Sequence, residues 1–337
     1  MISNDTLEAA VARNLLTAAQ ADSLRALERA REAIDPPPID EERLRFVSGF
    51  SDIFVAIGLL LFLGAFGYFL SDVGGAATAG GVAVGSWLLA EFFTRRRRMA
   101  LPSILLLVGF VGGVFMAVVG ALSMVSAFKE LSDASILAGP AAAISAWAHY
   151  RRFRVPITPA AGAGALVAMI VGVIFAVTPD HAPGIIPMLL AICGVILFTI
   201  ALRLDREDPE RLTRKTDIAF WLHLLAGPLI VHPVMFYSGA LADDPNPTVT
   251  IILFVFLAIL ALAADRRAIL VSSLIYTGVA IGYLARAGGL AESATVAFST
   301  LVLGAVILTL SAGWRPIRRA VMGVMPSRLS AWFPNQG

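Results

Sequence analysis

The sequence predicts an all-α membrane protein, a polytopic bundle of about ten transmembrane helices preceded by a small helical hairpin. Three observations support this fold class. Only 15% of the residues are charged and 58% are hydrophobic, whereas soluble domains carry about 25% charged residues. Apolar runs of roughly the 20 residues that cross a bilayer recur through most of the chain. The basic residues cluster in every second connection between these runs.

The apolar runs number ten, and each is bounded by charged residues, glycine or proline. A helix of this length and composition is stable in the hydrocarbon core because all its backbone polar groups are bonded within the helix. We therefore expect the lipid bilayer to surround the bundle. The ten predicted spans are about 51–71, 74–94, 102–127, 132–149, 156–178, 184–203, 217–238, 247–264, 268–285 and 292–313.

The basic residues predict the orientation, because Lys and Arg are enriched in cytoplasmic connections. Of the 26 basic residues, all except Lys129 and Arg286 lie before the first span, after the last span or in alternate connections. This partition predicts that both termini are cytoplasmic. Only Lys129 and Lys215 are lysines, a bias typical of GC-rich bacterial genomes. We therefore expect a multi-pass protein of the bacterial cytoplasmic (inner) membrane.

The chain before the first span predicts two short helices within residues 3–34. Thr17 and Gln20 have the spacing of a capping box, which begins the second helix. Leu24, Leu27 and Ile34 would then share one helical face, and a proline-rich stretch ends the helix. The predicted domains are a cytosolic hairpin with its spacer (1–40), the membrane bundle (41–314) and a basic cytosolic tail (315–337).

So short a hairpin cannot bury a core of its own. Three interpretations stay open for residues 3–34: the hairpin docks on the membrane bundle, it packs against a second copy in a homo-oligomer, or it binds a cytosolic partner.

Three segments also carry a resemblance. They are "NLLTAAQADSL" (14–24), "ERLRFVSGFSDIFVAIG" (42–58) and "TDIAFWLHLLAGPLIVHPVMF" (216–236). Together with the stack of apolar spans, the chain resembles an uncharacterised family of bacterial predicted membrane proteins with an N-terminal cytosolic helical hairpin. The resemblance covers most of the chain. The family has no assigned activity, so the resemblance implies the fold and no functional residues.

The usual enzyme signatures are missing from the sequence. It contains no G-x-S-x-G, H-E-x-x-H or P-loop motif. Cys193 is the one cysteine, which excludes a multi-cysteine metal site. The sequence therefore predicts a protein that is not an enzyme, with no catalytic residues, metal ligands, cofactor or nucleic-acid partner.

The acidic residues near the spans have simple structural interpretations. Glu91 lies four residues before Arg95 and can pair with it. Asp52 and Asp217 lie near helix N-termini, where a negative charge is favourable. His149 borders the basic stretch 151–154 and is expected at the interface. On this interpretation no acid is buried in the membrane.

The candidate site lies in the seventh span, where His223 and His232 stand well inside an apolar run. Nine residues separate them, which places the two rings on opposite faces of a helix, so they cannot share a metal ion. Pro228 and Pro233 interrupt the backbone hydrogen bonds. We expect His232 to face an internal polar cavity beside Pro233, and His223 to make a local packing bond.

The best functional hypothesis from these features is a small-molecule carrier. If the ten spans are an inverted duplication, the second span corresponds to the seventh, and both are interrupted by glycine or proline, as at many transporter sites. The alternative is a scaffold or sensor that acts through the hairpin, and a membrane enzyme is the weakest hypothesis. The predicted ligand-binding residues are Trp221, His223, Gly227, Pro228, His232 and Pro233, with Gly81 and Gly85 of the second span.

Overall fold

The computed structural model describes residues 7, 10–13, 15–34, 50–125, 130–208, 213–237, 247–265 and 268–326. These residues form helices and turns, with no β-strand among them. The chain divides into two compact units, Met1–Leu44 and Arg45–Gly337. Each unit is described by itself.

The first unit contains helix α1, Ala18–Ile34. The predicted capping box is confirmed: the Thr17 N–H donates to Gln20 Oε1 at 2.9 Å, and the Gln20 N–H donates to Thr17 Oγ1 at 3.3 Å. Leu7 and Ala21 are buried. About half of the predicted first helix, and the side chains of Leu27 and Ile34, lie outside the described residues; residues 10–12 are helical.

In the second unit a helix is present at each of the ten predicted spans, followed by a short terminal helix. The helices are α2 (Phe50–Leu70), α3 (Gly75–Ala90), α4 (Ala100–Leu122), α5 (Leu131–Phe153), α6 (Thr158–Val177), α7 (Ala182–Glu207), α8 (Arg214–Tyr237), α9 (Pro247–Ala264), α10 (Ala268–Ala287), α11 (Glu292–Ala312) and α12 (Trp314–Val324). A six-residue π-helical stretch, Glu91–Arg96, extends α3.

Seven of the described helices are long and apolar enough to cross a membrane, namely α2, α3, α4, α6, α7, α8 and α11. Their outer surfaces fit an apolar solvent. Phe54, Leu61, Phe69, Leu301 and Leu308 are between 69% and 79% exposed, which would be unfavourable in water and is favourable against lipid. The protein is therefore an all-helical membrane protein.

The bundle is assembled from hairpins of consecutive helices. Four of the five most extensively packed pairs of described helices are α5 with α6, α7 with α8, α3 with α4, and α9 with α10; the fifth is α4 with α5. In each of those four pairs the turn lies at the end of the bundle that carries Arg95 to Arg98, Arg151, Arg152, Arg154, Arg203 and Arg206, called the basic end below. Three of the four turns contain a non-glycine residue in the left-handed conformation: Arg98, Arg154 and Asp265, with φ of 53°, 54° and 55°.

Glycines allow the paired helices to approach closely. A Cβ added to Gly113 of α4 would lie 2.8 Å from the Ala79 carbonyl oxygen of α3. A Cβ on Gly139 of α5 would lie 2.7 Å from the Ala165 carbonyl oxygen of α6. Contacts this short involve backbone atoms that cannot move aside, so these positions require glycine.

Helix α8 is the most enclosed of the seven candidate spans. Half of its membrane window (50%) is buried, compared with 6% for α11. It packs against α7, α10 and α6. The segment that the sequence singled out is therefore at the centre of the second half of the bundle.

Candidate functional site

A carboxylate and an imidazole meet in the interior between α7 and α8. Oδ2 of Asp205 lies 3.0 Å from Nε2 of His223. His223 is 0% exposed and Asp205 is 4% exposed. The ring of Phe198, about two turns before Asp205 on α7, packs edge-on against His223 with a centroid distance of 5.0 Å. Ionisable groups inside a membrane bundle are functional candidates by default, because placing them there is costly.

Two expectations need correction at this pair. The sequence suggested that no acid is buried in the membrane and that His223 makes only a local bond, yet its partner is Asp205, 18 residues earlier and on the neighbouring helix. The predicted sixth span ended at residue 203 because charged residues follow. In the structure α7 continues to Glu207, and this extra turn carries Asp205 into contact with α8.

A signal for Asp205 was present in the sequence. The buried residues of α7 include Pro187, Gly194, Ala201 and Asp205. Their separations of seven, seven and four residues place them on one helical face. Asp205 therefore continues a stripe of small buried residues, whereas the neighbouring Arg203 and Arg206 project from other faces.

The turn that follows fixes the register of the two helices. Oδ2 of Asp208 accepts hydrogen bonds from the Thr213 N–H at 2.8 Å, from Thr213 Oγ1 at 2.7 Å and from Thr216 Oγ1 at 2.8 Å. A carboxylate with three donors rigidly joins the end of α7 to the start of α8. At the hairpin's middle, a Cβ on Gly194 would lie 3.1 Å from the Ile230 nitrogen. The hydrogen bonds of Asp208 in the turn and the close contact at Gly194 together determine the position of Asp205 opposite His223.

His232 lies on the opposite side of α8 from His223, as the nine-residue separation predicted. It is exposed, and its Nδ1 is 2.6 Å from the hydroxyl oxygen of Tyr276 on α10. The expected internal cavity at His232 is therefore not the environment described. The physical reason is that α8 buries the His223 face against α7, which turns the other face outward.

The remaining predicted residues of α8 divide between interior and surface. Gly227 and Pro233 are buried, Trp221 is half-buried and Pro228 is exposed. Both prolines are inside the helix. They lack an N–H, so carbonyl groups of α8 lose their helical partners and the helix is locally weakened.

The glycines of the second span have a packing role in the structure. An added Cβ on Gly81 would clash with Leu70 Cδ1, and one on Gly85 would lie 3.6 Å from Leu63 Cδ2. Both contacts are with α2. Helix α3 packs mainly against α2 and α4, whereas α8 packs against α7, α10 and α6. The structure thus brings Asp205 into contact with α8, whereas Gly81 and Gly85 face α2.

A second buried imidazole lies in the first half of the bundle. His149 is 0% exposed and is surrounded by the rings of Phe153, Phe110 and Trp87, with centroid distances of 4.6, 5.9 and 6.2 Å. Nδ1 is 3.4 Å from Thr158 Oγ1, and Nε2 has no hydrogen-bond partner among the described residues. The sequence placed His149 at the interface; in the structure its ring is enclosed by protein, because α5 extends one turn further, to Phe153.

The other acids at the basic end connect helices. Glu91 pairs with Arg95 at 3.2 Å as predicted, and Arg152 of α5 also donates to both its oxygens, at 2.6 and 3.0 Å. Asp52 is fully buried and accepts a hydrogen bond from the Ala100 N–H at 3.2 Å. Asp52 therefore caps the start of α4, rather than acting only on its own helix.

An open pocket of about 420 Å³ lies between α10 and α11. Its lining includes Gly278, Gly282, Tyr283, Thr295 and Ser299. None of the predicted binding residues lines it. Across the described part of the chain, no three His, Cys, Asp or Glu side chains are grouped in a way that could hold a metal ion.

No protein-family model, curated protein or solved structure matches this chain. The resemblance to an uncharacterised family of bacterial membrane proteins therefore stays a prediction, and the function has to be argued from the buried pair and the bundle that holds it.

Proposed function

We propose that the protein is a small-molecule carrier of the bacterial cytoplasmic membrane, with ten spans and both termini in the cytoplasm. Seven helices of spanning length and apolarity, together with a helix at each of the three other predicted spans, support this arrangement. The confinement of nearly all basic residues to one set of connections supports the orientation.

The observation that carries the proposal is the Asp205–His223 pair. Burying a carboxylate and an imidazole is costly unless they are paired, and a non-functional bundle could use an apolar pair instead. A carboxylate 3.0 Å from an imidazole can take up a proton, release it, or exchange its internal hydrogen bond for one to a polar substrate. Each of these changes would suit a carrier in which a buried binding site is connected to one side of the membrane.

The flexibility that a carrier needs is found in the same helix. Interrupted helices are typical of transporter binding sites. Pro228 and Pro233 weaken the C-terminal half of α8, which is further from Asp205 along the helix. We therefore place the substrate route along α8, past His223, Gly227 and Pro233, with Trp221 and His232 at its borders. In this proposal Gly81 and Gly85 contribute through the packing of α3.

The test is transport by the purified full-length protein in proteoliposomes. Vesicles are incubated with a small-molecule extract, and their contents are compared by mass spectrometry with those of empty vesicles. We expect at least one compound to enter only in the presence of the protein. Asp205→Asn and His223→Gln should reduce its uptake at least tenfold, while His232→Ala, which lies on the other face of α8, should reduce it much less.

Wild-type vesicles that take up nothing more than empty vesicles, at both inward and outward pH gradients, would contradict the carrier. Uptake that His232→Ala abolishes and Asp205→Asn leaves unchanged would place the site on the other face of α8.

A scaffold or sensor is the second candidate, since residues Met1–Leu44 form a compact unit separate from the bundle. This function predicts that deleting residues 1–40 removes binding of a cytosolic protein or a second copy and leaves membrane insertion intact. Cross-linking in cells, with and without the deletion, measures this directly.

A further inference from the structure

The pocket between α10 and α11 has a charged end and an apolar end. Arg286, in the last turn of α10, lines the pocket, and its Nη2 donates to Oε1 of Glu292, the first residue of α11, at 2.8 Å. An added Cβ on Gly278 of α10 would lie 3.4 Å from Leu303 Cδ2 of α11. Eight residues separate Gly278 from Arg286, so this apolar contact lies about 12 Å from the ion pair along the helix axis.

The pocket is open because α11 has few neighbours. Its main neighbours are α10 and α12, and only 6% of its membrane window is buried. Between α10 and α11, small residues such as Gly282 and Ser299 leave a space of about 420 Å³, within the range of about 300–1,000 Å³ typical of ligand sites. Val279 and Val296 line this space and are 52% and 69% exposed. The pocket therefore opens onto the apolar outer surface that the bundle presents to lipid.

Two hydroxyl groups in the pocket are available to a ligand. Tyr283 and Thr300 both line it, and neither hydroxyl has a hydrogen-bond partner among the described residues. A polar group without a partner is unfavourable next to hydrocarbon. A ligand with polar atoms near the charged end would supply the missing hydrogen bonds.

The charges at the turn favour a ligand that carries both signs. The Arg286 and Glu292 side chains are 53% and 85% exposed, so each can reach a second partner. A purely anionic headgroup would be attracted by Arg286 and repelled by Glu292, whereas a phosphate and an ammonium on one headgroup can pair with both. Arg286 is also one of only two basic residues outside the alternate basic connections, so the positive-inside pattern does not account for it.

We propose that the pocket between α10 and α11 binds a zwitterionic phospholipid with a primary amine, such as phosphatidylethanolamine. Its phosphate accepts hydrogen bonds from Arg286, its ammonium donates to Glu292, and the upper part of one acyl chain lies along Val279 and Leu303. The free headgroup would meet the same two charges, but only the phospholipid also fills the apolar end. The site shares no residue with the proposed carrier site and does not depend on transport.

The experiment measures lipid binding to the purified full-length protein in detergent by native mass spectrometry. Phosphatidylethanolamine, phosphatidylglycerol and phosphatidylcholine with identical acyl chains are titrated separately. Phosphatidylglycerol lacks the ammonium, and the trimethylated ammonium of phosphatidylcholine has no N–H to donate. The test variants are Arg286→Gln, Glu292→Gln and Ser299→Leu, the last of which fills the pocket. The matched control neutralises another exposed ion pair, with Glu207→Gln and Lys215→Gln in one protein.

We expect wild type to bind phosphatidylethanolamine most tightly. Arg286→Gln should weaken this binding about fivefold, the contribution of a strong exposed ion pair, and Arg286→Lys should retain most of it, which separates loss of charge from loss of fold. Glu292→Gln should remove the preference over phosphatidylglycerol. Ser299→Leu should weaken the binding of all three lipids, and the control variant should match wild type.

Three results would each overturn the site. They are the absence of a preference for phosphatidylethanolamine, equal weakening in the control variant, and complete displacement of the lipid by free phosphoethanolamine at millimolar concentration.

Discussion

At the scale of single residues, the Asp205–His223 pair is a costly arrangement that the protein maintains. Both side chains are almost completely buried, so their mutual hydrogen bond replaces one that water would otherwise supply. Removing one partner leaves the other desolvated, and this penalty exceeds what the pair contributes relative to an apolar contact. The two residues should therefore behave as one unit when either is changed.

We predict that Asp205→Ala lowers the free energy of unfolding by about 1–3 kcal/mol. Adding His223→Ala to that variant should cost less than His223→Ala alone, because the hydrogen bond between the two side chains is already lost. Unfolding in mixed micelles by added SDS, followed by tryptophan fluorescence, measures all four proteins. Strictly additive losses would mean that the two side chains are not coupled.

His232→Ala provides the comparison within the same helix. Its hydrogen bond to Tyr276 is exposed, so its loss should cost under about 1 kcal/mol. If His232→Ala destabilises the protein as much as Asp205→Ala, the buried face of α8 does not contribute more to stability than the exposed face.

The sequence identified His223 as a candidate site residue and placed His232 on the opposite face of the helix. It did not identify Asp205 as the partner of His223. An apolar stretch is recognised by its continuity, so the charged residues after position 203 marked the end of the span. Helices continue past such boundaries because arginines project outward while a small-residue face stays buried. His149 was misplaced for the same reason: three arginines follow it within five residues, and they concealed the aromatic cluster that encloses its ring.

At the scale of secondary-structure elements, the hairpin with its turn at the basic end is the recurring structural unit. The four hairpins are among the five most extensively packed pairs of described helices, and Arg98, Arg154 and Asp265 adopt the same left-handed conformation at three of the turns. In membranes the close approach of helices is favoured by dispersion contacts between small residues rather than by the hydrophobic effect. The glycines that allow backbone contact should therefore determine the stability of each hairpin.

Gly112 and Gly113 test this directly, because they are neighbours with different surroundings. A Cβ at Gly113 would meet the Ala79 carbonyl oxygen at 2.8 Å, whereas a Cβ at Gly112 would meet nothing within 4 Å. Gly113→Ala should separate α3 from α4 and cost about 1–3 kcal/mol. Gly112→Ala should be neutral or slightly stabilising, because alanine is the better helix former. Thermal unfolding midpoints in detergent compare the two, and equal shifts would contradict the hairpin contact.

The sequence predicted the location of the helices in these four hairpins. It could not identify Gly139 or Gly194, because each is decisive only through the backbone that faces it on a partner helix. Conversely, Gly81 and Gly85 suggested a broken segment and in the structure make room for side chains of α2. The spacing of glycines predicts a helical face that can pack closely. The helix that packs against this face determines whether a given glycine is required.

At the scale of the whole molecule, the buried titratable groups of the described residues are concentrated toward one end. This set consists of Asp52, His149, Asp205, Asp208 and His223, and all lie within about three helical turns of the basic end. In the proposed orientation that end faces the cytoplasm. The buried titratable groups then lie nearer the cytoplasm, whereas buried hydroxyl groups such as those of Thr250 and Thr295 lie toward the other end.

The orientation is tested by reporters at both termini, and the same experiment bears on the number of spans. An even number of crossings places both termini on one side, whereas exactly seven would place them on opposite sides. With ten spans, fluorescent-protein fusions at either terminus should be bright and alkaline phosphatase fusions inactive. A phosphatase inserted after Asp180, between α6 and α7, should be active, because that connection is predicted outside. An active phosphatase at one terminus only would favour an odd number, and would mean that at least one of α5, α9 and α10, which are not among the seven clear candidates, does not cross the membrane.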